Sequence, residues 1–177
     1  MPRLRIATLS DVPRLQRLVE QSVRTLSEGY YSPSQVESAL RYVFGPDTRL
    51  IADETYYVIE DAGELAAAGG WSRRLTLYGG DQAKGTDDPL LDPAADPARI
   101  RAFFVHPSWA RRGLGRRLFE RCREAAVAAG FAALELMATL PGVPLYRTLG
   151  FTAAGPTVAE LPDGELLPMV RMSRPLP

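Results

Sequence analysis

Arginine and glycine crowd into one short stretch of the chain, Arg111-Arg112-Gly113-Leu114-Gly115-Arg116, with Arg117 following. A strand-like run, Phe103-Phe104-Val105, leads into it through His106-Pro107. A helical pattern leaves it, with Leu114, Leu118, Cys122, Ala125 and Ala129 on one face and Gly130 as its stop. Amide N–H groups in such a turn have no carbonyl partner and sit at the positive end of the helix dipole. Gly113 and Gly115 permit positive φ and close approach of a ligand to the backbone, and guanidinium forks suit phosphate oxygens. The chemistry that this composition suits is capture of a phosphate. On spacing alone, the same arginines also fit a turn that is merely solvated.

Two nucleotide-binding patterns fail at this place. A P-loop needs lysine and a hydroxyl after its second glycine, and neither follows Gly115; the dinucleotide pattern needs glycine where Leu118 stands. A second group with chemical potential is Tyr146, in Leu145-Tyr146-Arg147-Thr148-Leu149-Gly150-Phe151. By itself it reads as a packing residue of a short helix with its hydroxyl at the surface.

Other chemistries are bounded by residue counts. His106 is the only histidine and Cys122 the only cysteine, which excludes a histidine-cluster metal site and an intrachain disulfide, so no metal is expected. Lysine plus arginine and aspartate plus glutamate number 21 each, so no net field draws the molecule to nucleic acid or an anionic membrane. The N-terminus lacks the apolar core of a signal peptide and no run approaches the ~18 apolar residues of a membrane span. The expectation is a soluble cytoplasmic protein with no nucleic-acid or membrane partner. A length of 177 residues with 46% hydrophobic and 24% charged side chains predicts one globular domain over residues 1–177.

The elements that must position these residues are legible in outline. A short strand from Arg3 meets Ser10-Asp11, which opens a helix with Val12, Leu15, Leu18, Val19 and Val23 on one face; Ser32-Pro33 opens a second, ended by Gly45-Pro46-Asp47. Thr55 to Glu60 and Glu64 to Trp71 form a hairpin, and the second strand is so rich in alanine and glycine that something must pack closely on it. Residues 72–97 dissolve into Gly, Asp and Pro clusters and read as an inserted loop, either functional or idle. The strand at 100–105, the helix after Leu114, a strand at Phe131 to Met137, a short helix at Leu145 to Leu149 and a hairpin around Pro162-Asp163-Gly164 complete a mixed α/β domain.

Val105-His106-Pro107 through Arg116, then Leu145-Tyr146 and Gly150-Phe151 about thirty residues on, resembles the GCN5-related N-acetyltransferase (GNAT) superfamily over residues 3 to 175, with 72–97 outside the likeness. The resemblance implies a mostly antiparallel sheet of six to seven strands flanked by about four helices, with a splay between the strands at 100–105 and 132–138. It also implies acetyl-CoA as cofactor. Its pantetheine arm would pair with Phe103, Phe104 and Val105, its pyrophosphate would take the amides around Arg111, Arg112, Gly113, Leu114, Gly115 and Arg116, and Tyr146 would protonate the leaving thiolate. The family often has glutamine or arginine where Ala110 stands, asparagine where Thr139 stands, still counted toward the cofactor, and alanine where Gly142 stands. Where some members carry a glutamate base the chain has Arg99; His106 and Glu135 are the other candidates, and no base is assigned.

The acceptor implied by the resemblance is a small-molecule or peptide amine, entering opposite the coenzyme past the first two helices. Tyr30, Tyr31 and Trp71 fall there by chain order, and the acidic Asp87-Asp88, Asp92 and Asp96 are placed to draw in a cation or simply to solvate the loop. A homodimer is compatible with this reading. The expected activity is direct transfer of an acetyl group to a primary amine. A coenzyme A binding or sensing module that has lost its chemistry is the alternative, and a structural protein with an idle turn is a third.

Overall fold

A computed structural model describes residues 1–177. Seven strands form one sheet in the order β1-β2-β3-β4-β5-β7-β6: β1 (Arg3–Ile6), β2 (Tyr56–Asp61), β3 (Glu64–Ser72), β4 (Ala98–Val105), β5 (Ala133–Thr139), β6 (Thr152–Glu160) and β7 (Leu166–Pro175). All neighbours are antiparallel except β4 and β5. Five helices flank it: α1 (Val12–Leu26), α2 (Pro33–Tyr42), α3 (Thr48–Ala52), α4 (Leu114–Ala128) and α5 (Val143–Thr148). No helix is long and apolar enough to cross a membrane.

The sheet separates two apolar layers. On one face, Leu114, Leu118, Phe119, Cys122 and Ala126 of α4 pack with Trp71, Ile100, Leu134, Leu136, Tyr146 and Phe151. On the other, Leu15, Leu18, Val19 and Val23 of α1 and Ala39 of α2 cover Val58, Ala68, Leu167 and Met169. The tight strand β3 is explained by its neighbours: a Cβ on Gly69 would stand 2.5 Å from the Phe103 ring, and one on Gly70 would stand 2.5 Å from the Thr55 carbonyl oxygen.

Local sequence accounts for the helix starts, with two corrections. Ser32 caps α2 as expected, accepting the Gln35 N–H while the Gln35 side chain accepts the Ser32 N–H. The entry to α1 is capped one turn earlier than Ser10-Asp11 suggests. Thr8 is the cap, its N–H donating 2.8 Å to the Asp11 carboxylate, and a 3-10 turn leads into the helix. Asp47, read as the end of α2, is instead the N-cap of the extra helix α3.

Asp11 is also the anchor of β1. Its two oxygens accept a fork of 2.8 Å bonds from Arg5, and Arg5 holds the Asp11 carboxyl at about 2, below the ordinary carboxylate range. Because the folded value lies below the unfolded one, this pair contributes stability above pH 4 that is lost as pH falls toward 2. Chemical unfolding across that window is expected to show a loss of about 2 kcal/mol at most from this site, and Asp11→Asn should flatten that part of the profile.

The segment between β3 and β4 is an ordered insert and not a solvated loop. Arg74 donates to both Asp53 oxygens and to the Asp88 carbonyl, and Arg74 and Leu90 form an isolated bridge. Further along, Asp47 is fully buried and accepts from Arg101 at 2.8 Å and from Lys84, the only lysine in the chain. Arg101 also donates to the carbonyls of Gly79 and Thr76. One buried ionic knot thus fastens the insert to β4 and to the start of α3. Three of Asp87, Asp88, Asp92 and Asp96 are engaged in the fold, while Asp87 stays exposed: Asp88 is buried and accepts the Thr76 N–H, Asp92 accepts from Ala94, and Asp96 accepts from Asp92.

Candidate active site

The only parallel pair in the sheet is also the shortest. β4 and β5 are in register only at Ala98 with Leu134 and Arg99 with Glu135. Beyond those residues each strand keeps its outer partner: β4 stays with β3 as far as Val105, and β5 stays with β7 as far as Thr139. Two ordered strands therefore part and leave facing edges without a ladder, which is the splay expected between 100–105 and 132–138.

A bulge in β4 accompanies the parting. Its register with β3 shifts between Ala68 and Gly70, and Ala102 adopts φ of 53°, a left-handed conformation that costs an alanine about 1–2 kcal/mol. A bulge bends and twists its strand. The fully buried Tyr56 braces it, its hydroxyl donating 2.8 Å to the Ala102 carbonyl. Tyr56→Phe is expected to lower stability by about 1–3 kcal/mol, because the carbonyl is left unpaired. Denaturant unfolding checks it, and adding Ala102→Gly should recover part of the stability.

After the bulge Phe103 turns toward α4 and α5, its ring 6.2 Å from that of Tyr146, while Phe104 lies on the α1 and α2 face beside Phe44. Val105 closes the strand opposite Ala67. His106 then caps a 3-10 turn through Nδ1, which accepts the Ser108 N–H at 3.1 Å, and stacks edge-on against Trp109. That engagement ties Nδ1 of His106 to the turn.

The glycine-arginine turn follows. Arg111 has φ of 64° and Gly113, the N-cap of α4, φ of 81°. From Arg111 to Arg116 no amide N–H has a backbone acceptor within the chain. Six consecutive donors at the start of a four-turn helix form an anion cradle. Arg111, Arg112 and Arg116 are exposed around it. Gly115 is in the helix and not at positive φ as expected; its missing side chain makes room for Leu145, since a Cβ there would stand 2.9 Å from Leu145 Cδ2. The turn therefore seats α5 directly, and α5 carries Tyr146.

Tyr146 is buried between Phe103 and Phe151, and burial pushes its phenol up from the ordinary value near 10. The only buried side-chain polar atoms without a partner are Trp71 Nε1 and Arg101 Nε, so the Tyr146 hydroxyl stays open to solvent or a ligand. Thr139 ends β5, and a Cβ on Gly142 would lie 3.2 Å from Thr139 Oγ1 and 3.3 Å from the Tyr146 ring. Phe103, Val105, the amide turn, Thr139 and Tyr146 thus gather along one gap.

The other sequence-based candidates do not gather there. Tyr31 is buried and bonded at both ends of its hydroxyl, donating 2.7 Å to the Pro168 carbonyl and accepting 2.9 Å from Leu140 N–H. It ties the α1–α2 connection to the far strands. Tyr30 is half exposed, and Trp71 lies in the α4 layer against Phe131, across the sheet from both tyrosines. Chain order suggested one wall; the alternation of β3 puts Trp71 on the other face. Glu135 is held between Arg99 at 3.2 Å and Arg171, so it is no free base. Sequence reasoning missed Tyr56 and Arg171, which have no spacing signal.

These features find their counterpart in a known family. The acetyltransferase (GNAT) family profile matches residues 20–151. The chain belongs to that family. The sequence matches no curated protein. Among solved structures, a GCN5-related N-acetyltransferase of Rhodopseudomonas palustris is similar with a TM-score of 0.72 at 20% identity, covering 99% of this chain and 96% of that one. yncA of Salmonella typhimurium, solved with its cofactor acetyl-CoA, has a TM-score of 0.65 at 17% identity over 100% and 95% of the chains. The PaiA N-acetyltransferase of Thermoplasma acidophilum, in complex with coenzyme A, has 0.61 at 12% over 99% of each. At these identities the structures establish a shared fold. No group of three His, Cys, Asp or Glu side chains is placed to hold a metal ion.

Proposed function

We propose that this GNAT protein transfers an acetyl group from acetyl-CoA to a primary amine, which attacks the thioester directly within a ternary complex. One observation carries the reading: the unpaired edge of β4, from the Ala102 bulge to Val105, leads through the short 3-10 turn after His106 to the six free amides from Arg111 to Arg116. An extended amide-bearing chain pairs with an open strand edge, and a pyrophosphate suits a row of N–H donors at a helix start. Those are the two halves of coenzyme A in order. Phe103, Phe104 and Val105 would hold the pantetheine arm, Arg111 to Arg116 the pyrophosphate, and Thr139 would border the arm on the β5 side.

The coenzyme supplies an activated acyl thioester. What the chain supplies is alignment, amide donors beside the acyl carbonyl, and a proton from Tyr146 Oη for the departing sulfur. With Glu135 clasped by two arginines and His106 Nδ1 occupied, the amine reacts in its neutral form. The absence of a free carboxylate at the gap is also what favours the second reading, a coenzyme A sensing module. Thiol release from acetyl-CoA with an amine panel, run beside thermal stabilisation by acetyl-CoA alone, separates the two. Stabilisation without thiol release for any amine would rule out transfer.

A further inference from the structure

The α1 and α2 face of the sheet at the gap carries an unbalanced set of charges. Arg99 and Arg101 point there from β4, Glu135 from β5 and Arg171 from β7, since their neighbours Ile100, Leu134, Leu136, Val170 and Met172 pack on the α4 face. Asp47 and Lys84 join them from α3 and the insert. Four cations face the carboxylates of Asp47 and Glu135, and of the four Asp81 reaches only Lys84, at 3.9 Å from the surface side. Arg99, Arg101, Lys84, Asp47 and Glu135 are all nearly or fully buried, whereas the Arg171 side chain is 52% exposed. Glu135 is shared between Arg99 and Arg171, so it leaves guanidinium donors unspent, and Asp88 is bound within the insert. No open carboxylate among these groups offers a seat to a second ammonium.

Arg171 also stands at a telling level. It is in register with Met137, two residues before Thr139, which neighbours Gly142 and through it Tyr146. Two residues of strand are roughly 7 Å, a separation that an α-amino acid spans with hydrogen bonds at both ends. Around the same place Tyr78 of the insert, Phe104, Met137 and Leu140 are half-buried at the rim of one apolar cluster.

Resting on the transferase reading, we infer that the acceptor is a small amine bearing a carboxylate beside the amino group and an apolar substituent, its carboxylate taken by Arg171. Nε and Nη2 of Arg171 meet Glu135, and the Nη1 edge offers that anion donors which an amide or a hydrogen in its place leaves unpaired. The test compares leucine, methionine and phenylalanine with their amides and their decarboxylated amines as acceptors. For at least one trio, kcat/KM for the acid should exceed that for the amide by about 10- to 100-fold. Arg171→Met should bring kcat/KM for the acid down to the level of the amide measured in the same variant, and Arg171→Lys should recover part of the preference. The wild-type comparison stands even if a variant fails to fold. Amides or decarboxylated amines that react as fast as the acids, or a preference that survives Arg171→Met, overturns this inference and leaves acetyl transfer standing. No thiol release with any amine overturns both.

Discussion

Tyr146→Phe is expected to lower kcat by about 10²-fold or more while leaving the dissociation constant for coenzyme A within about twofold of the wild type, as removal of a positioned general acid should. Only one oxygen is lost. The ring contacts with Phe103 and Phe151, which build the wall of the gap, remain. The hydroxyl is not an orphan of the core, so its removal breaks no internal bond and stability should hold. Burial raises the phenol, and with the folded value above the unfolded one the stability it contributes is complete below about pH 10 and is lost as pH rises beyond it. The phenol therefore stays protonated throughout the working range, and the rise of kcat/KM with pH should follow the pKa of the amine. Single-turnover thiol release with wild type and variant, across pH 6 to about 9.5, reads both effects. A kcat within about twofold of the wild type would remove Tyr146 from the proton path.

That Tyr146 was visible in the sequence at all reflects a general division. Features set by a few neighbouring residues were legible: Ser32-Pro33 at the start of α2, Gly113 at positive φ, and the order of strands and helices. The α4 face was legible in phase but not in width, since Phe119 and Ala126 are buried where Ala129 is exposed, the apolar stripe being set by how α4 lies across β3. What depends on partners distant in the chain was not legible. Tyr31 and Trp71 are aromatic in the right order, yet one is a bolt to Pro168 and the other lies beneath α4. Gly115 belongs to Leu145, thirty residues away, and the hydroxyl that fixes the bulge comes from Tyr56, forty-six residues before Ala102. The insert shows the point most sharply. Its Asp, Gly and Pro content leaves it open between functional and idle, and what fastens it is the sole lysine, whose buried partner Asp47 lies 37 positions earlier.

The buried knot around Asp47 carries the largest expected effect on stability. Asp47 accepts four hydrogen bonds at once: it caps α3 through the N–H groups of Arg49 and Leu50, pairs with Arg101 and receives Lys84. Arg101 is 2% exposed, its Nε has no partner, and burial pulls its pKa down from the ordinary arginine value, so the guanidinium tolerates its position only because a carboxylate faces it. Asp47→Ala strands two buried cations and should cost about 3–5 kcal/mol. For a domain of this size, that is a fall of roughly 6–20 °C in Tm. Arg101→Met should cost less, because Asp47 keeps Lys84 and its cap, and the pair of substitutions together should be milder than the sum. Lys84→Met should leave α3 capped and loosen mainly the insert, which would be seen as faster proteolysis within residues 73–97. Denaturant unfolding of the four proteins decides it: a loss below about 1 kcal/mol for Asp47→Ala would mean that the cluster holds no net stability, as replaceable buried ion pairs often do. Since the same cluster sets the insert beside Phe104, its loosening should also raise KM for the amine before it affects coenzyme binding, which we propose for the turn before α4, a helix on the opposite face of the sheet.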